Sequence, residues 1–218
     1  MSFIKEWIYR IRHNRGFGVQ SPAAFHIVTH VLREGRHPYY LYPEINALAR
    51  SKGESPRHCR RLFRLVNAIR PRNIFILDSR CSAAACSVAA ASNKVPCTMV
   101  SEDNSQNAKQ FIERHTNFIA EQDSPLQSLN GFLKNKRGLG LLYIGNTPHY
   151  AQAAEEAIKH CDRHSAIIIE GIKSRERRKW WEELVASDST VVTMDFHRWG
   201  VLFFDTEYRK QHYTFWFK

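Results

Sequence analysis

Several things are scarce or missing in this chain of 218 residues, and each absence removes a class of protein. No apolar run approaches the roughly 20 residues that cross a bilayer, and no signal-peptide pattern opens the sequence, so a cytoplasmic protein without a transmembrane segment is expected. Cysteines number five, an odd count without CxxC spacing, which argues against a disulfide framework and for reduced thiols. Internal repeats and low-complexity segments are lacking. Acidic residues are rare in the first third: residues 1–72 hold 14 Lys/Arg against 4 Asp/Glu, whereas residues 73–218 hold 18 against 17. Nearly all of the net charge of +11 therefore sits at the front. Such a surface attracts RNA, DNA or an anionic membrane; a solvated basic helix face is the plainer alternative. With 43% apolar residues the chain is long and greasy enough to bury a core.

The pattern within that frame is helical first and alternating afterwards. Phe3, Ile4, Trp7, Ile8 and Ile11 share one face of a basic amphipathic helix over 2–13. It suits packing on its own domain, a partner, or a membrane surface. Ser21–Pro22 reads as N-cap and first turn of a helix through Phe25, Val28, Val31 and Leu32 that stops near Gly35. An aromatic loop, His37 to Pro43, precedes a short helix over 44–50. Leu62, Phe63, Val66 and Ile69 mark a second basic helix over 57–70, ended by Pro71. Beyond it the spacing predicts strands at 74–78, 97–101, 126–129, 140–145, 165–170, 190–197 and 200–205. Helices are expected at 82–92, 104–114, 150–161 and 174–186. That alternation implies a mostly parallel sheet. The last two strands, separated only by Trp199–Gly200, would close it as an antiparallel hairpin.

Residues 73–92, NIFILDSRCSAAACSVAAAS, form the most informative stretch. An apolar strand meets the break Asp78–Ser79–Arg80, and an alanine-rich helix follows. That is the entry of a dinucleotide-type α/β fold, where amides at a helix N-terminus cradle a phosphate or carboxylate. Such turns use glycine to adopt positive φ and let a ligand approach the backbone. This one has none.

The segments GFGVQSPAAFHIVTHVLRE, YYLYPEI, RLFRLVNAIRPRNI and FHRWGVLFFDTEYRKQHYTFWF give the chain a likeness to a known family over almost its whole length. It resembles bacterial class I S-adenosylmethionine-dependent methyltransferase-like proteins of the O-methyltransferase type. The resemblance implies a Rossmann-like α/β sheet, mostly parallel with a C-terminal antiparallel hairpin, over 73–218, preceded by a basic helical extension, 1–72, packed on it. It also implies S-adenosylmethionine as cofactor. Against the family pattern, Ile76 stands at the acid that ends the first strand, and Asp78 and Ser82 stand at glycines. Glu102, with Asp103 beside it, matches the acid that holds the ribose. The fourth strand ends Ile144–Gly145–Asn146, without its usual acid. The fifth ends Ile169–Glu170–Gly171, with one carboxylate where paired acids hold a divalent metal, and one carboxylate alone is a poor Mg²⁺ site.

The cofactor-binding candidates are thus Asp78, Ser79, Ser82, Glu102, Asp103 and Gly145, and Glu170 is the catalytic candidate; no metal site is expected. Losses at three strand ends, with hydrophobic strands intact, point to a kept scaffold with little or no methyl transfer. Two functions follow. One is a methyltransferase in which Glu102 holds the ribose and the amides of loop 78–83 face the methionine carboxylate. The other is a non-catalytic binding module whose basic N-terminal third contacts nucleic acid, a membrane surface or a protein, a homodimer being one arrangement. An open pocket among Asp78, Ser82, Glu102 and Tyr143–Asn146 favours the first; a plug by Ile76, Arg80 or the alanine-rich helix favours the second. Remaining candidates are weaker: His26 and His30, or His160, Cys161 and His164, as metal ligands, Cys81 as a thiolate, and the run Lys173 to Lys179 as a phosphate grip.

Overall fold

Alternating apolar residues in the central strands send side chains to opposite faces of one sheet. In the computed structural model, which describes residues 22–33, 39–91, 94–101, 106–115, 117–121, 124–134 and 138–217, that sheet has eight strands. They are β1 (Ile74–Leu77), β2 (Pro96–Val100), β3 (Asn117–Glu121), β4 (Leu141–Ile144), β5 (Ala166–Glu170), β6 (Val192–Asp195), β7 (Trp199–Phe203) and β8 (Gln211–Thr214). Their order is β3-β2-β1-β4-β5-β7-β6-β8. The first five are parallel, and β7 runs antiparallel between β5 and β6. The amphipathic segment over 2–13 lies outside the described residues.

Ile74, Ile76, Tyr143, Ile168 and Met194 face one apolar layer. Helices α1 (Pro22–His26, continuing as a π-helix to Leu32), α2 (Tyr42–Ser51), α3 (Pro56–Ile69), α4 (Ala83–Ala90) and α5 (Gln106–His115) belong to that side. Phe75, Leu77, Leu142, Ile167 and Leu202 face the other layer, with α6 (Pro125–Leu133), α7 (Tyr150–Ile158) and α8 (Arg175–Ala186). Every residue of α4 is buried, and alanine is what lets a helix lie that close to its neighbours.

Sequence signals set the helix ends. Ser55 caps α3 by accepting from the His58 amide, with Pro56 in the first turn. Its last turn closes at Arg70 in the left-handed region, φ 52°. Arg64, although buried, donates to the carbonyls of Val31 at 2.6 Å and Leu32 at 2.8 Å and to the Tyr42 hydroxyl at 2.9 Å. It thereby satisfies carbonyls left open at the end of the first helix and joins α1, α2 and α3.

Three expectations are corrected. Residues 126–129 belong to helix α6, and the third strand is β3: Pro125 starts a helix whose Leu129 and Leu133 bury one face. Trp199 and Gly200 are strand residues of β7, so the hairpin turns through Phe196–Arg198, where the Phe196 amide bonds the Trp199 carbonyl at 2.9 Å. Strand β8 is an addition to the strands that the spacing predicts. Its polar QHYT has no apolar run, and it is held by parallel pairing with β6 and by Thr193 Oγ1 at 2.7 Å from His212 Nδ1.

Candidate functional site

The C-terminal ends of β1, β4 and β5 meet at one edge of the sheet, where a fold of this kind places its ligand. A cavity of about 580 Å³ opens there. Asp78, Ser82, Gly145 and Glu170 all line it, with Tyr143 and Asn146. Ser79 instead lines a neighbouring space of about 10 Å³ with Val100, Ser101 and Thr147. Glu102 and Asp103 lie outside the described residues.

The turn after β1 keeps its shape without glycine. Cys81 carries the positive φ, 45°, that glycine would accept without strain. Its thiol, the weaker candidate for a thiolate, is buried, 3.8 Å from Cys86 Sγ and 3.7 Å from Met99 Sδ. Asp78, only 1% exposed, accepts from the Ser82 hydroxyl and, at 3.1 Å, from the Arg80 amide. Burial pushes the pKa of this carboxyl up, against the pull of those hydrogen bonds. Its side chain lies against Gly145 so closely that a Cβ there would come within 2.6 Å of Asp78 Oδ2.

The amides of the turn all have partners within the protein. Those of Asp78, Ser79 and Cys81 go to the carbonyls of Val100, Asn146 and Asp78. Those of Ala83 and Ala84, at the start of α4, donate to Glu54 Oε1 at 2.8 Å and Oε2 at 3.1 Å. Glu54 thus lays a carboxylate on a helix N-terminus, where partial positive charge favours one. The amides of Asp78, Ser79, Arg80, Cys81 and Ala83, expected to face a ligand's carboxylate, are thus engaged by the protein's own acceptors. Lys52 reaches the carbonyl of Arg80 from the same loop, at 3.3 Å.

At the end of β5, Glu170 Oε1 stands 2.7 Å from His58 Nε2, and the His58 ring lies 5.6 Å from that of Trp199. Arg177 staples the two strand ends by donating to the carbonyls of Glu170 at 2.7 Å, Gly145 at 3.1 Å and Thr147 at 2.6 Å. Its guanidinium sits 4.3 Å from the centre of the Tyr150 ring, and burial lowers its pKa. Within the Lys173–Lys179 run, Arg177 is thus a structural clamp and Arg178 pairs with Asp195, while Lys173, Arg175 and Lys179 are exposed. Among the described residues, no three His, Cys, Asp or Glu side chains converge as a metal site.

Sequence reasoning missed Glu54, His58 and Arg177. Glu54 sits in an unremarkable polar turn, SKGESP, and only the tertiary fold brings it to α4.

No family model and no curated protein matches the sequence. Solved structures do. The O-methyltransferase from Bacillus cereus, in complex with S-adenosylhomocysteine, is 18% identical and superposes with a TM-score of 0.55 over 83% of this chain and 97% of that one. TomG from Streptomyces achromogenes, an O-methyltransferase involved in tomaymycin synthesis and solved with S-adenosylmethionine, gives 0.57 at 12% identity over 89% and 98%. A methyltransferase from Geobacter sulfurreducens gives 0.53 at 14% over 81% and 92%. The chain therefore has the Rossmann-like fold of class I O-methyltransferases. Identities this low establish the fold; activity must be argued from the site.

Two features that would hold S-adenosylmethionine at this edge are engaged within the protein. The helix amides suited to its carboxylate hold Glu54, and the room at Gly145 holds Asp78. Of the three groups expected to plug the pocket, Ile76 is buried in the core, whereas Arg80 and, from α4, Ala84 line the cavity, which stays open.

Proposed function

We propose that this protein is a methyltransferase scaffold without methyl transfer, acting as a binding module through its basic N-terminal third, residues 1–72. The observation that carries the reading is the carboxylate of Glu54 on the Ala83 and Ala84 amides. An incoming cofactor carboxylate would have to displace it and then sit beside a second carboxyl, Asp78. Desolvating like charges together is costly, and the internal carboxylate is present at high effective concentration. Calorimetric titration of the full chain with S-adenosylhomocysteine and S-adenosylmethionine tests this. No heat at millimolar ligand is expected; micromolar binding overturns the reading.

One observation favours the second reading, an active methyltransferase: the cavity at Tyr143, Gly145 and Asn146 is open, and the His58–Glu170 pair faces it. A histidine beside a carboxylate can take a proton from an acceptor hydroxyl. In that reading Glu102 holds the ribose, so Glu102→Ala abolishes cofactor binding; in the first reading it changes nothing.

A further inference from the structure

At the opposite edge of the sheet, where the parallel strands begin, lies a larger groove of about 1110 Å³. It is built from the end of α3, the start of β5 and the first helix. Arg70, Arg72, Arg163, His26, His30 and Tyr39 line it; among the described residues no Asp or Glu does. Arg70 stands at the left-handed end of α3, exposed; its amide donates to the Val66 carbonyl at 3.0 Å, and its side chain has no hydrogen bond or ion pair among the described residues. Arg72 bonds the Leu139 carbonyl at 2.9 Å and Asp162 at 2.6 Å. Arg163 meets Glu207 at 3.2 Å. Both ion pairs are exposed, and such pairs cost little to exchange for another anion. At the floor, Arg64 is held on two carbonyls and a hydroxyl, with no carboxylate partner among the described residues.

Flat π surfaces stand beside these cations. The rings of His26 and His30, one turn apart, stack at 5.1 Å between centroids. The Tyr39 ring is held edge-on by Phe63 at 5.3 Å.

We propose that this groove binds single-stranded nucleic acid, with Arg70, Arg72 and Arg163 on the phosphates and bases against Tyr39 and the His26–His30 stack. Cations that track a backbone, interleaved with rings on which bases stack, are the general design for sequence-tolerant single-strand binding. Concavity selects a thin, flexible chain over a flat membrane surface. The proposal deepens the binding-module reading and rests on it for the contacting surface. The two fail separately, because the cofactor titration reports on one edge of the sheet and the oligonucleotide titration on the other.

The test is fluorescence anisotropy of a labelled oligouridylate 20-mer with the full chain across a KCl series. Three phosphate contacts predict a slope of log affinity against log salt of about −2. The double variant R70E/R163E is expected to lose about a hundredfold in affinity and most of that slope. Arg70→Gly guards against misfolding: glycine suits the left-handed position, and its expected loss is about threefold with Tm unchanged or raised. Failure to bind at low salt, or equal binding by wild type, R70G and R70E/R163E, overturns the proposal. So does sedimentation with phosphatidylglycerol vesicles that these variants abolish while the oligonucleotide stays unbound.

Discussion

His58 and Glu170, 112 positions apart in sequence, meet at 2.7 Å where strand β5 ends. In the family the chain resembles, that strand end carries paired acids for a divalent metal. Here the single carboxylate is turned toward an imidazole. His58→Ala leaves a half-buried carboxylate without its partner, a loss of about 1 kcal/mol, seen as a Tm lower by about 2–4 °C. Millimolar Mg²⁺ is expected to leave the wild-type Tm unmoved, since ligand binding to the native state alone would raise it. A rise that depends on Glu170 contradicts this account.

Asp78 gives a pH dependence whose sign is fixed. Its pKa in the folded protein is raised by burial, so the native state holds a proton that the unfolded chain releases. Its stabilising contribution is full below the unfolded value, about 3.9, and is lost as pH rises through the folded value. Asp78→Asn removes the charge and keeps the size. The variant is expected to melt above wild type at neutral pH, with the gap closing toward pH 4. A gap that widens on acidification would show that the carboxylate stabilises the turn.

Glu54 and Asp78 together define a gain-of-binding experiment. The double variant E54A/D78G frees two helix amides and restores a glycine beside Gly145. We expect S-adenosylhomocysteine affinity to improve by at least tenfold, equal to ~1.4 kcal/mol, with each single change giving less. Because Glu54 also neutralises the start of α4, Glu54→Ala alone is expected to cost about 1 kcal/mol in urea denaturation. Unchanged affinity in a folded double variant would mean that other residues exclude the ligand.

Much of this was legible in the sequence, for identifiable reasons. The apolar runs at 74–77, 141–144 and 166–169 are buried on both sides and therefore continuous. The missing glycines after β1 flagged a changed turn, although not that Cys81 would bear the positive φ. The third strand was misplaced, since Pro125-Leu-Gln-Ser-Leu reads equally as short strand or helix. Strand β8 carries no hydrophobic period. Glu54, His58 and Arg177 act through partners 29 to 112 positions away or on backbone carbonyls, and no local pattern encodes such contacts.

Arg177 offers a sharper stability test than any surface charge. One guanidinium bonds three carbonyls at the ends of β4 and β5 and stacks on Tyr150. Arg177→Ala is expected to cost about 3 kcal/mol, and Arg177→Lys, with one point charge instead of a fork, to recover less than half of it. The urea midpoint measures both; equal midpoints for wild type and R177A would show the clamp to be idle.

Gly200 tests the hairpin from inside the sheet. A Cβ at this position would sit 2.4 Å from the ring of Trp181, a side chain 1% exposed at the centre of the second apolar layer. The close approach, and not backbone conformation, is what demands glycine, because the ring cannot retreat through a packed core. Gly200→Ala is therefore expected to destabilise by about 2–3 kcal/mol, although alanine is the better strand former. The buried Trp181 reports it directly: near-ultraviolet circular dichroism should change in G200A while the far-ultraviolet spectrum holds. A variant with wild-type stability would mean that α8 can lift away from β7, and that the layer is looser than its burial implies.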